Sequence, residues 1–148
     1  MNSTVSWCKW YGVTCQADTE YITKLDLRWN KLKGSFPSSI SELSTMRELL
    51  LSGNELTGGV PSEIGVLSSL EDLLLNSNGV TGAIPSEIGL LSSLKGLYLH
   101  NNKLSGLIPH KIGLLSNLTG LHLNNNSFSG TIPYEICLMS NLQSLTLY

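Results

Sequence analysis

Charge is what this 148-residue sequence has least of. Asp, Glu, Lys and Arg make up 14% of it, against roughly 25% in an average globular chain. The 9 basic residues are outnumbered by 11 acidic ones and form no stripe. The electrostatic driver of phosphate binding is missing, and nucleic acid is excluded as the expected partner. No apolar run approaches the roughly 20 residues of a membrane helix. Residues 1–6 contain neither a basic n-region nor an apolar h-region, so no signal peptide is expected at this start. The glycines are not clustered into a phosphate loop or a dinucleotide fingerprint, so no cofactor is expected.

Ser, Asn and Thr fill the place of the missing charge, and apolar residues, at 41%, suffice for a core. The charges are uneven along the chain. All the acidic residues but Glu135 lie at or before Glu87, whereas Lys95, Lys103, Lys111 and the three histidines lie in the second half. On its own this reads as drift on a solvated face.

From Ile22 the chain divides into five blocks of 24 residues and a partial sixth, without insertion or deletion. LKGLYLHNNKLSGLIPHKIGLLSN is typical. All five prolines (Pro37, Pro61, Pro85, Pro109, Pro133) share one phase, a coincidence of about one in three hundred thousand. Asn30, Asn54, Asn78, Asn102 and Asn126 share another, and Gly34, Gly58, Gly82, Gly106 and Gly130 a third. Leucines at the fourth and sixth positions, such as Leu73 and Leu75, alternate like a strand with one buried face. The next strand lies one repeat away in the same direction, so the predicted sheet is parallel. The phased Asn follows the strand, where its amide can serve turn backbone, and stacked amides would form a ladder. The Gly phase suits a backbone that a Cβ forbids. Proline ends the extended segment, and residues such as Ile88 and Leu91 return to the core on a short helical or 3₁₀ turn. One repeat cannot bury enough to fold alone, so the coils must stack.

The pattern LxxLxLxxNxLxGxIPxxIGxL, with LxGxIP as in Leu104–Pro109, resembles the plant-type leucine-rich repeats over residues 22–148. The preceding WCKWYGVTC (residues 7–15) is similar to the N-terminal cap of plant receptor-kinase ectodomains and polygalacturonase-inhibitor-like proteins. The near-identical repeats, ending in EIC at 135–137, also resemble leucine-rich-repeat proteins of diatoms and related algae. The resemblance implies a right-handed α/β repeat solenoid with a parallel sheet on its concave face. It also implies a second short strand per coil and 3₁₀ or helical turns on the convex face. The expected organisation is a cap over 1–21 and one continuous repeat domain over 22–148. The implied function is non-catalytic recognition of a protein, peptide or glycan, in a receptor-like ectodomain or a secreted protein. Two alternatives are an inhibitor of a cell-wall glycanase and an intracellular scaffold. The implied location is extracellular or cell-surface, with cytoplasmic as the alternative.

The cap is expected to cover the end of the core with Trp7, Trp10 and Tyr11. The family pattern implies a Cys8–Cys15 disulfide there; otherwise both are free thiols of a reducing compartment. Cys137 stands where other repeats carry glycine, and in the algal proteins such a cysteine would pair beyond the last repeat. The sixth repeat stops at Tyr148 with Leu142, Leu145 and Leu147 on an open edge. This reads as a fragment, a truncated chain or an end that needs a partner. Sequons at Asn2, Asn117 and Asn125 fit secretion.

Residues between the strand leucines should face the concave side: Asp26, Leu50, Leu74, Tyr98, His122 and Thr146 at the fifth repeat position. Lys24, Glu48, Asp72, Gly96, Gly120 and Ser144 hold the third position, and Arg28, Ser52, Asn76, His100, Asn124 and Tyr148 the seventh. Leu50, Leu74 and Tyr98 form an expected apolar ridge, either a contact surface or leucines shielded by their neighbours. Trp29 would add an aromatic anchor, and His100, His122 and Asn124 polar contacts. Gly96 and Gly120 would give a ligand close backbone access. His100 and His122 lie on neighbouring strands without a carboxylate or cysteine beside them, so neither catalysis nor a metal is expected. His110 belongs to the convex turn.

Overall fold

The structure, a computed structural model, describes residues 6–147. Its frame is a seven-stranded sheet in the order Val13–Cys15, Ile22–Asp26, Glu48–Leu50, Asp72–Leu74, Gly96–Tyr98, Gly120–His122 and Ser144–Thr146. The last six strands are parallel, and a step of one strand is a step of one repeat. Leu25, Leu49, Leu73, Leu97, Leu121 and Leu145 share a rung. The alternation read from sequence is the cause: Leu73, Leu75, Leu97, Leu99, Leu121 and Leu123 all point inward and are buried. Second strands follow the first in two patches. Lys33–Ser35 pairs with Glu55–Thr57, and Lys103–Leu107 lies between Thr81–Gly82 and Ser127–Ser129.

Each coil returns through a 3₁₀ turn: Ser38–Glu42, Ser62–Val66, Ser86–Leu90, His110–Leu114 and Tyr134–Leu138. Each phased proline sits just before its turn. It offers no N–H to be left unpaired, while its carbonyl accepts the first bond of the turn, as Pro85 does from Ile88 at 3.0 Å. The phased Ile40, Ile64, Ile88, Ile112 and Ile136 drop into the core from this side. Gly34, Gly58, Gly82, Gly106 and Gly130 have φ between +73° and +105°, the region a Cβ disfavours.

The asparagines form the ladder expected of them. The amide of Asn78 donates to the Leu51 carbonyl of the preceding coil and the Leu75 carbonyl of its own, both at 3.0 Å. Its Oδ1 accepts from the Leu56 N–H. Asn54, Asn102 and Asn126 repeat this arrangement. Asn30, in the first coil, has its amide bonded to the Arg28 carbonyl alone.

The cap differs from expectation. Trp10 and Tyr11 are 61% and 82% exposed and do not roof the core; the Trp7 indole donates to the Glu20 carbonyl instead. Val13–Cys15 pairs antiparallel with Ile22–Asp26 and closes the backbone edge. The Cys8–Cys15 disulfide ties that strand to the turn before it. A three-residue strand covers a sheet edge but not the apolar wall behind it. A cavity of about 390 Å³ therefore remains in the first coil, lined by Leu25, Leu27, Phe36, Ile40 and Leu43 among others. At the other end Leu145 is exposed, while Leu142 and Leu147 pack partly against the core. No described helix is long and apolar enough to cross a membrane.

Candidate functional site: the concave strip

The strands place three lines of side chains on the open face, one residue per coil. Their third- and fifth-position residues stand in register across the parallel strands. Seventh-position Tyr148, like the sequon residue Asn2, lies outside the described residues.

At the N-terminal end the face is occupied by its own charges. Lys24 pairs with Glu48 at 2.6 Å, and Arg28 grips Asp26 through two bonds of 2.8 and 2.7 Å. The Arg28 hydrogen bond holds the Asp26 carboxyl below its ordinary range.

The apolar ridge is only partly present. Leu50 stands on the concave side but is 5% exposed, closed in by in-register neighbours Asp26 and Leu74. Ser52, beside it in the seventh line, is also buried and donates to Asn76 Oδ1 at 2.6 Å. Leu74 and Tyr98 remain half-exposed. Trp29 lies just past the strip, 73% exposed, with its indole over Gly53. A Cβ on Gly53 would come within 2.5 Å of the ring.

The glycines do not give a ligand access to the backbone. Gly96 and Gly120 are both buried because Tyr98 leans over them. A Cβ on Gly96 would lie 2.6 Å from Tyr98 Cε2 and would collide with an Asp72 carboxylate oxygen. One on Gly120 would lie 3.1 Å from the Tyr98 hydroxyl. The missing side chains create room for the aromatic ring.

Tyr98 stacks on His122 with ring centroids 4.8 Å apart and planes 8° apart, and His100 meets both rings edge-on. The neighbours of His122 fix its orientation. Thr146 Oγ1 donates its proton to Asn124 Oδ1 at 2.7 Å, so it accepts from His122 Nδ1 at 3.0 Å. That leaves Nε2 facing the Ser144 hydroxyl at 3.2 Å. A hydroxyl thus meets an imidazole, but the other ring nitrogen faces a neutral hydroxyl rather than the carboxylate that would hold an imidazolium in a hydrolytic triad. Nδ1 of His100 is buried without a partner, and burial, with His122 close by, lowers that imidazole's pKa. Among the described residues no cluster of three metal-ligating side chains occurs.

Asp72 was legible only as a third-position residue, and the structure gives it a distinct character. Burial first, then the nearby Glu48 and Glu71 carboxylates, raise its pKa. Glu71 itself is held in its charged form by Lys95 and Arg47, both at 2.7 Å. A raised carboxyl pKa means that folding disfavours the Asp72 anion: the penalty is full above the folded pKa and vanishes below the unfolded one. Asp72→Asn should therefore raise Tm at pH 7, and the gain should shrink as pH falls through the carboxylate range. Thermal melts at pH 7, 5 and 3 check this; a Tm difference independent of pH would contradict it.

Asn117 and Asn125 are exposed. The Asn117 amide donates to the Ser92 carbonyl and that of Asn125 to Asn101 Oδ1.

Comparison with known proteins places this geometry among relatives. The Leucine Rich Repeat family profile matches residues 21–43, 45–67, 93–115 and 117–139. The LRR receptor-like serine/threonine-protein kinase FEI 2 of Arabidopsis thaliana is 44% identical over 44 residues, 30% of this chain but 8% of that protein. A chain in the crystal structure of the BIR3–SERK2 complex from Arabidopsis thaliana superposes with a TM-score of 0.87 at 37% identity, over 99% of this chain and 81% of that one. The ectodomain of the Arabidopsis receptor kinase HAESA, solved in complex with an IDA peptide hormone ligand, gives 0.82 at 30% identity, over 98% of this chain and 29% of that one.

Proposed function

The chain belongs to the leucine-rich-repeat family, and from that premise we propose that it is a non-catalytic recognition module of a receptor-like ectodomain, binding a peptide or protein on its concave strip. The observation that carries this reading is the fixed Tyr98–His122 stack beside half-exposed Leu74. Orienting an aromatic surface before binding cuts the entropy lost on association, and aromatic anchors dominate recognition energies. HAESA, of the same fold, is solved with a peptide ligand. A disulfide in the cap and two exposed sequons suit an extracellular location.

Selection of a displayed peptide library on the folded protein tests the reading. Tyr98→Glu and Leu74→Glu should each weaken the selected peptides at least about tenfold, roughly 1.4 kcal/mol. Circular dichroism should keep the parent spectrum in both. The Tm of Tyr98→Glu should fall, because its carboxylate joins Glu48 and Glu71 near Asp72. Leu114→Glu on the exposed convex side should leave binding intact. Peptides that lose affinity only with Leu114→Glu would place recognition on the other face.

A further inference from the structure

Among the described residues, the concave face carries three carboxylates that differ in one respect. Glu48 is paired with Lys24 and Asp26 with Arg28. Asp72 has neither an ion pair nor a side-chain hydrogen bond. The nearby cations are engaged elsewhere: Lys95 and Arg47 with Glu71, and Lys24 with Glu48. An unpaired, half-buried carboxylate is costly in the free protein. Lys95 and Lys24 offset part of its charge through space, but neither bonds to it.

The side chain opposite is aromatic. Gly96 separates Asp72 from Tyr98, and the Asp72 carboxylate and Tyr98 Cε2 both crowd the point where a Gly96 Cβ would stand. The carboxylate and the Cδ2–Cε2 side of the phenol ring thus lie beside each other over one glycine, on adjacent strands in which Asp72 pairs with Gly96 and Leu74 with Tyr98. A cation seated there would gain an ion pair and a cation–π contact together.

We propose that Asp72 and Tyr98 form a subsite for a cationic group of the ligand, an arginine or lysine side chain or a free amine. The proposal rests on the concave-face reading and deepens it by naming the ligand's chemistry. Leu74, in register between Leu50 and Tyr98, would take an apolar neighbour of that cation. The groups facing the subsite also set its pH response. Those groups are Asp72 itself, His100 and His122 around Tyr98, and Glu48, Glu71, Lys24, Arg47 and Lys95 around Asp72. Acid protonates Asp72 and removes the charge that would hold the cation. Cation affinity should therefore fall on acidification.

The probes are N-acetyl-arginine amide and its neutral isostere N-acetyl-citrulline amide, titrated into ¹⁵N-labelled protein at pH 7. The arginine probe should shift the amides of Asp72, Gly96, Tyr98 and Gly120, and bind at least tenfold more tightly than the citrulline probe. Asp72→Asn should abolish that preference, Tyr98→Leu should reduce it, and Glu63→Gln on the convex side should leave it unchanged. Equal responses to both probes, or a preference that survives Asp72→Asn, would overturn the subsite. If N-acetyl-glutamate amide or cellohexaose moves these resonances and the arginine probe does not, the cationic subsite is wrong while recognition on this face stands. If no probe moves any concave resonance, the subsite is overturned and the concave-face reading is weakened with it.

Discussion

Asn78→Ala is expected to lower the unfolding free energy by about 2–6 kcal/mol. The Leu56 N–H is left without a partner, at about 1–3 kcal/mol. The Leu51 and Leu75 carbonyls keep the amides of Asn54 and Asn102, but each loses one of two bonds, at about 0.5–1.5 kcal/mol apiece. All three partners lie 3.0 Å from the Asn78 amide. Two belong to the preceding coil, so the substitution weakens the junction between coils as well as one turn. Against a typical total of about 5–15 kcal/mol, the loss should shift the urea midpoint far to the left. Because coils interact with nearest neighbours, the transition should also broaden, with a lower apparent m-value as the two ends unfold separately. Asn30→Ala is the internal comparison. Its amide reaches only the Arg28 carbonyl and the residue is exposed, so its cost should stay below about 1 kcal/mol. Equal losses at the two positions would show that the ladder does not carry the stability assigned to it.

The contrast between these asparagines marks how far the sequence could be read. A fixed period of 24 settles which residues share a rung, so the parallel register, the inward leucines, the amide ladder and the membership of the concave strip were all legible. Contacts along a rung were not. Leu50 and Leu74 occupy equivalent positions, yet Leu50 is closed over and Leu74 is not, because burial depends on neighbouring side chains rather than on phase. Gly96 and Gly120 looked like openings because a glycine has no side chain. Tyr98 fills that space, and the signal was an aromatic residue two positions after a glycine, with another glycine at the same level of the next coil. The isolation of Asp72 was invisible for a different reason: the cations near it had to be seen bound to Glu48 and Glu71 first. The cap misled because bulky rings suggested a lid, while backbone pairing does the covering.

Gly89→Ala should cost about 3 kcal/mol, at the upper end of what overpacking usually exacts, although an alanine favours a helical turn. The phase of Gly89 is the one Cys137 interrupts, and space rather than conformation explains it. A Cβ on Gly89 would lie 2.5 Å from the Lys111 carbonyl oxygen and 2.9 Å from Lys111 Cβ. A Cβ on Gly65 would likewise lie 2.8 Å from the Glu87 carbonyl oxygen of the next coil. Backbone cannot swing aside as a flexible side-chain tip can, so the Ser86–Leu90 and His110–Leu114 turns would have to separate and open the interior behind Ile88 and Ile112. In the last coil Cys137 occupies the same phase and is exposed, so Cys137→Gly should change stability by less than about 0.5 kcal/mol. Gly82→Ala separates the two uses of glycine. A Cβ there meets nothing within 4 Å but sits at φ +77°, so the cost is conformational alone, about 1–2 kcal/mol. Urea denaturation of the three variants should rank them Gly89→Ala, Gly82→Ala, Cys137→Gly from most to least destabilised. A Gly89→Ala protein as stable as the parent would mean that the turns stack more loosely than the carbonyl contact at Lys111 requires.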